Sequence, residues 1–259
     1  MRLNTRKKIR WLVVLILSLI AGHSVRAQFS DSTRSEKYFG GSLAVTNNGI
    51  SLLPTFTLNE PAALVTMTAG RRLTFEPEMR FSLEGKPWSF VFWGRYKLFQ
   101  GRKFRLTVGA HPGYLFRTES VITNGNTNNT ISTERYLAAE LSPNYFVTKN
   151  TSIGIYYLRA KGFTESSVKA THFITLNANF NKITLYKSYH LKFNPQIYYL
   201  KMDDKDGYYF TSTITLAKTD FPLSLQTIMN QTIESNIPSK DFLWNVSLIY
   251  SFGKQYKPA

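Results

Sequence analysis

Between residues 73 and 84 apolar and charged side chains take turns. Phe75, Pro77, Met79, Phe81 and Leu83 share one face of an extended chain, and Glu76, Glu78, Arg80, Ser82 and Glu84 share the other. The same rule returns along the chain. Trp88, Phe90, Phe92, Tyr96 and Leu98 oppose Ser89, Val91, Trp93, Arg95 and Lys97. Leu191, Phe193, Pro195, Ile197 and Tyr199 oppose His190, Lys192, Asn194, Gln196 and Tyr198. A period of two is strand geometry, because successive side chains leave opposite faces of the backbone. No segment after residue 27 sustains the three-and-four spacing of a helix.

The alternation predicts twelve strands, over 38–47, 62–70, 73–84, 87–99, 103–118, 133–148, 151–161, 168–181, 188–202, 207–218, 222–234 and 242–252. Residues 50–58, ISLLPTFTL, either continue the first strand past Asn47-Asn48-Gly49 or form one of their own. Single-chain bacterial barrels close with an even number of strands, which favours twelve, with ten or fourteen as the alternatives. With the N-terminus in the periplasm, the links at 70–72, 100–102, 149–150, 182–187 and 219–221 are inner turns. The polar links at 119–132, 162–167, 203–207 and 234–240 then lie outside, and an outer-membrane barrel carries its longer connections there.

Two environments accept a sheet with one apolar face: a second sheet or lipid. Strand length favours lipid, since a tilted membrane strand needs about 9 to 11 residues whereas soluble strands average nearer five or six. Aromatic residues also gather at segment ends. Trp88, Phe99, Phe116, Tyr199, Tyr208, Phe242, Trp244, Tyr250 and Phe252 are the expected lipid-interface girdle. The fold class expected is therefore all-β, a single antiparallel up-and-down transmembrane barrel over 38–253. A soluble periplasmic β-sandwich is the remote alternative. Pro77, Pro112, Pro143 and Pro195 stand inside alternating runs. A proline lacks the ladder donor, so each predicts a bulge or a local break in pairing.

The first residues supply an address. Arg2, Arg6, Lys7, Lys8 and Arg10 precede the apolar run 11–22, and Ser24-Val25-Arg26-Ala27 ends in small residues at the cleavage positions. These are the three parts of a secretory signal, and the run is too short for a membrane-spanning helix. Residues 28–37 form a polar periplasmic leader, and 254–259 a C-terminal tail. Removing 1–27 takes six of the 32 Lys and Arg residues and none of the 16 acidic ones, which leaves a net charge of +10. Much of the basicity belongs to export, so no nucleic-acid partner is expected. The chain contains no cysteine, so neither a disulfide framework nor a thiolate site is available.

In hydrocarbon a sheet must close, because each unpaired edge group costs several kcal/mol. The polar faces then point into the lumen. The expected interior set is Glu76, Glu78, Arg80, Glu84, Arg95, Lys97, Arg105, His111, Arg117, Glu140 and Lys192. Lining water, these residues make a narrow pore or transporter for small polar solutes. Interlocked, they plug the barrel, which then serves in surface binding, envelope assembly or secretion. Enzymatic work is not expected: the chain has no His-x-Ser or His-Glu-x-x-His pattern beyond the signal and no serine elbow. No cofactor or metal is expected, since Asp203, Asp204 and Asp206 lack the calcium-loop spacing.

The signal ending before Gln28-Phe29, the Phe39-Gly40-Gly41 opening and the aromatic-rich segments together resemble outer-membrane β-barrel proteins of Bacteroidota. Residues 73–98 carry the likeness most strongly. The resemblance implies the outer membrane of a Gram-negative cell, contact with lipid and lipopolysaccharide, and delivery by the barrel insertion machinery. An envelope protein partner is left open, and the resemblance brings no catalytic motif.

Overall fold

The computed structural model describes residues 37–123 and 126–256. The expected signal peptide and nearly all of the expected leader lie outside the described residues. Twelve strands follow one another: β1 (Lys37–Thr46), β2 (Ala62–Gly70), β3 (Leu73–Ser82), β4 (Pro87–Gln100), β5 (Phe104–Thr123) and β6 (Asn126–Phe146). They continue as β7 (Thr151–Gly162), β8 (Ala170–Tyr186), β9 (Tyr189–Met202), β10 (Lys205–Lys218), β11 (Leu223–Ser235) and β12 (Phe242–Tyr256). Each pairs antiparallel with the next, and β1 pairs β12 from Lys37↔Tyr256 to Thr46↔Ser247, which closes the barrel. Closure removes every sheet edge.

Side chains sort as the alternation requires. Leu176 is 57% exposed and Leu248 53%, while Leu200 and Tyr209, on the other parity, are fully buried. Exposed apolar residues continue around the barrel, including Leu43, Phe75, Leu137, Ile155, Ile174, Ile197 and Leu225. Water-soluble proteins rarely leave more than a few hundred Å² of such surface contiguous. A sandwich would have covered it with a second sheet, so the periplasmic sandwich is excluded and the exterior is a lipid-facing belt.

The prolines leave their mark on the ladder. Between β2 and β3 the register passes from Thr66↔Glu78 to Ala69↔Phe75, which skips Pro77. It likewise skips Pro112 between β4 and β5, Pro143 between β6 and β7, and Pro195 between β8 and β9. On its other side each proline keeps a register partner: Phe92, Leu137, Leu106 and Ser212 respectively. A missing N–H opens one ladder locally and leaves the cylinder shut.

Several boundaries differ from the sequence expectation. Residues 119–123 and 126–132, expected in an open loop, are strand, for β5 and β6 stay paired from Thr118↔Ile131 to Thr123↔Asn126. The link expected at 182–187 shrinks because β8 runs to Tyr186. Residues 254–256, expected in the tail, belong to β12. Residues 50–58 are neither a strand nor an extension of β1. They turn into the barrel around a single 3-10 turn, Pro54–Phe56.

Candidate functional site

The inward segment is a compact plug. Its neck closes where Gly49 N donates to Glu60 O at 2.7 Å and Leu58 N donates to Gly49 O at 2.9 Å. Its interior is tied by Thr57, whose Oγ1 donates to Ser51 O and accepts from Ser51 N, both at 3.1 Å. Two wall residues pin it. Trp88 Nε1 donates to Phe56 O at 2.8 Å, and the Tyr198 hydroxyl donates to Leu52 O at 3.1 Å. Ile50 is buried, and Leu52, Leu53 and Phe56 pack on a cluster that includes Trp93, Leu158, Phe173, Tyr198 and Leu200. Burying such a side chain contributes about 1.5–3 kcal/mol. Phe56 and Leu58 also meet Ala62, Trp88, Leu115 and Tyr136.

Trp88 corrects an expectation. Strict alternation places it among the lipid-interface aromatics, but it is 2% exposed and lies against the plug. The cause is a register shift between Arg80 and Phe81, where Arg80 pairs with Ser89 but Phe81 pairs with Pro87. An extra residue in one strand re-aims a side chain, and here it brings Trp88 onto the inner parity beside Ser89. The Arg80 guanidinium then covers its ring at 5.0 Å. Phe99, Tyr208, Phe242, Trp244 and Tyr250 are exposed, and Phe116, Tyr199 and Phe252 half-buried.

Below the plug stands a charged floor. Arg95 reaches Glu76 and, through Nε at 2.6 Å and Nη2 at 3.2 Å, both oxygens of Glu140. The Tyr156 hydroxyl donates to the same Glu140 at 2.8 Å. Arg95 also lies 4.1 Å over the Trp93 ring, which itself packs 4.1 Å from His111. Arg80 pairs with Glu78. Nearer the plug's end of the barrel Arg117 binds Glu134 at 3.0 Å, and the Tyr136 hydroxyl donates to Glu134 at 2.5 Å. Glu134 was not among the expected interior charges, although it shares the parity of Tyr136 and Glu140. Glu84, which was, lies outside the lumen: it occupies the exposed turn after β3 and pairs with Lys86 at 2.7 Å.

The other half of the lumen, toward the chain termini, is polar. Asn194 Nδ2 donates to Asn179 Oδ1 at 2.8 Å, and Asn179 Nδ2 donates to Asn177 Oδ1 at 2.9 Å. Gln196 Nε2 donates to Asn194 at 2.5 Å. Further around the wall Gln226 donates to Thr215 and Ser42 bonds Thr66. Lys97, Arg105 and Lys192 share the inner parity of this half, with Arg105 lying 4.3 Å over the Phe146 ring. Among the described residues no carboxylate lies within ion-pair distance of these three cations. A cavity of ≈ 280 Å³ lies against the plug between Leu52, Arg80, Tyr156, Phe173 and Ile228.

Other candidate chemistry resolves into structure. Asp203 Oδ1 accepts from Lys169 N at 3.0 Å and Ala170 N at 2.7 Å, which fixes the turn between β9 and β10. His172 faces outward, with Nδ1 2.8 Å from the Tyr157 hydroxyl. Among the described residues no three His, Asp or Glu side chains converge as a metal site.

The chain matches no protein-family model, and no curated protein matches it. Among solved structures it is similar to a KdgM porin in complex with disordered oligogalacturonate. That likeness has 13% identity and a TM-score of 0.47, over 83% of this chain and 99% of the other. An outer-membrane channel from Pseudomonas putida F1 shares 10% identity with a TM-score of 0.44, over 89% of this chain and 100% of that one. The β domain of the Bordetella autotransporter BrkA shares 9% with a TM-score of 0.43, over 85% and 100%.

Proposed function

We propose that this chain is a porin-like outer-membrane barrel for small polar solutes, closed in the described state by residues 47–61. The observation that carries the reading is the division of its lumen. One half is lined by amides, hydroxyls and three cations that, among the described residues, make no ion pair, a surface suited to water and to neutral or anionic solutes. The other half is packed around a segment tied to the wall by side-chain hydrogen bonds from Trp88, Tyr198 and Asn245 and by apolar contacts. A purely structural filling would have no need of a polar half. Withdrawal of the segment joins the two. The resemblance of residues 73–98 to Bacteroidota barrels belongs to the same reading, as does recognition of β12 by the barrel insertion machinery.

Planar-bilayer recording tests this. The parent barrel is expected to conduct rarely, and replacing 50–58 by a short Gly-Ser link is expected to raise the open fraction on the order of a hundredfold or more, as loss of more than one buried apolar contact implies. A replacement that folds and inserts but stays silent would sink the pore. The second reading, a plugged barrel working through its surface, would then stand on the β5–β6 hairpin that extends past the rest of the rim.

A further inference from the structure

Cations on the outward face of a membrane strand are costly near the midplane and cheap near a headgroup layer. Outward cations here concentrate in one sector at the plug's end of the barrel. Arg159 on β7 pairs in register with His172 on β8, and His172 with Lys201 on β9. Directly opposed residues of neighbouring strands sit about 5 Å apart, so the three form a continuous row. Lys161 stands two residues above Arg159 on the same face. Arg159, Lys161 and Lys201 are exposed. Among the described residues no carboxylate is within ion-pair distance of the four. Asp206, opposite Lys201, instead accepts the Tyr199 hydroxyl at 2.9 Å.

Beneath the row the same faces change character in order. Tyr157, Ile174 and Tyr199 come first, in register, then the exposed Ile155, Leu176 and Ile197. At the same end β11, β12 and β1 present Ile233, Trp244 and Val45 outward instead. The cations are therefore a local patch and not a ring set by the interface alone. We infer that Arg159, Lys161, His172 and Lys201 form a docking site for the phosphate groups of a phosphorylated glycolipid, lipopolysaccharide, whose acyl chains lie along the isoleucine face below. Charge complementarity identifies the occupant, and the tyrosine-to-isoleucine sequence fits an amphiphile entering by its tails. The inference is independent of whether the lumen conducts. It does require the plug's end to face outward, as the expected orientation has it.

The test places the purified barrel in phosphatidylcholine nanodiscs doped with lipopolysaccharide, its dephosphorylated form, or phosphatidylglycerol, and counts retained lipid by native mass spectrometry. Lipopolysaccharide is expected to be kept over both others. Arg159→Gln, Lys161→Gln and Lys201→Gln are each expected to lower its retention about fivefold. Each single variant is tested alone, so failure of one to insert leaves the other two to decide. Lys149→Gln with Lys187→Gln, at the opposite end, is expected to leave retention unchanged. Equal retention of the dephosphorylated lipid, no loss in the variants, or equal loss in the control would overturn the site. A preference for phosphatidylglycerol would overturn it too, by assigning the patch to the inner leaflet.

Discussion

The two halves of this lumen are built from the same strands and the same inner parity, yet they follow different rules. On β9 the inward residues read His190, Lys192, Asn194 and Gln196, and then Tyr198, Leu200 and Met202. On β8 they read Asn181, Asn179, Asn177 and Thr175, and then Phe173. The change from amide to aromatic falls where the plug begins. A barrel wall facing water has no reason to bury Leu200 and Tyr209 completely. A wall facing a folded-in segment does. The inner face is thus a polar lining over half its height and a protein core over the rest, with the Arg95 floor between them.

That difference is broken most severely at Trp88. Trp88→Ala removes a buried indole, opens a cavity against Ala62, Leu115 and Tyr136, and deletes the hydrogen bond to Phe56 O. Truncating a buried Trp typically costs about 3–5 kcal/mol. Here the loss falls on plug docking more than on the barrel. The expected result is protease cleavage within 50–58 while the barrel keeps its heat-resistant mobility on electrophoresis. Trp88→Phe separates packing from bonding and should cost nearer ~1 kcal/mol, as removal of one hydrogen bond does. Unchanged protection in Trp88→Ala would mean that the plug is held elsewhere.

The floor gives the next effect, of a different kind. Arg95→Met strands Glu76 and Glu140, and Glu140 is 6% exposed. Removing one partner of a buried pair costs about 3–5 kcal/mol because the remaining charge loses its compensation. Some of this is recovered here, since Tyr156 still donates to Glu140 and the floor adjoins the wetter half. The whole barrel, and not only the plug, should unfold at lower urea in detergent. Arg95→Met with Glu76→Gln and Glu140→Gln should restore most of the loss. If the triple variant is as weak as the single one, the floor acts through shape and not charge.

The barrel was legible in the chain because a period of two has one structural meaning over so many residues, and because lipid enforces it over most of the outer face, with Thr227 and Gln231 as polar departures on β11. The plug was not, although its trace was present. ISLLPTFTL alternates and so imitates a strand, while its Pro54 and the turn-forming residues on both sides argue for a fold-back. The stronger trace lay in the wall. Val91, Trp93, Leu115, Tyr136, Ala138, Tyr198 and Tyr209 interrupt the polar faces of their strands, and one by one they pass as exceptions. Together they mark a surface awaiting an apolar partner, but their convergence depends on strand register, which alternation does not supply. Trp88 was misplaced for a related reason: one bulge reverses the parity on which its assignment depended. Glu84 failed on the length of β3, which stops at Ser82.

Glu84 offers the smallest effect and the sharpest control for the floor. Its pair with Lys86 is as short as Arg95–Glu140, yet it stands in an open turn, with the carboxylate side chain 69% exposed. The hydrogen bond from Lys86 holds Glu84 below its ordinary value of 4.5, and the nearby ammonium charge acts in the same direction. A carboxyl lowered on folding lends stability that is complete above 4.5 and disappears as the pH falls through the depressed value. Glu84→Gln should therefore remove that contribution at neutral pH together with its loss in acid, and both are small because water and salt screen an exposed pair. Urea titrations should show the parent slightly more stable than the variant at neutral pH and the two coinciding at strongly acidic pH. A neutral-pH loss approaching that of Arg95→Met would show that burial is not what separates the turn pair from the floor.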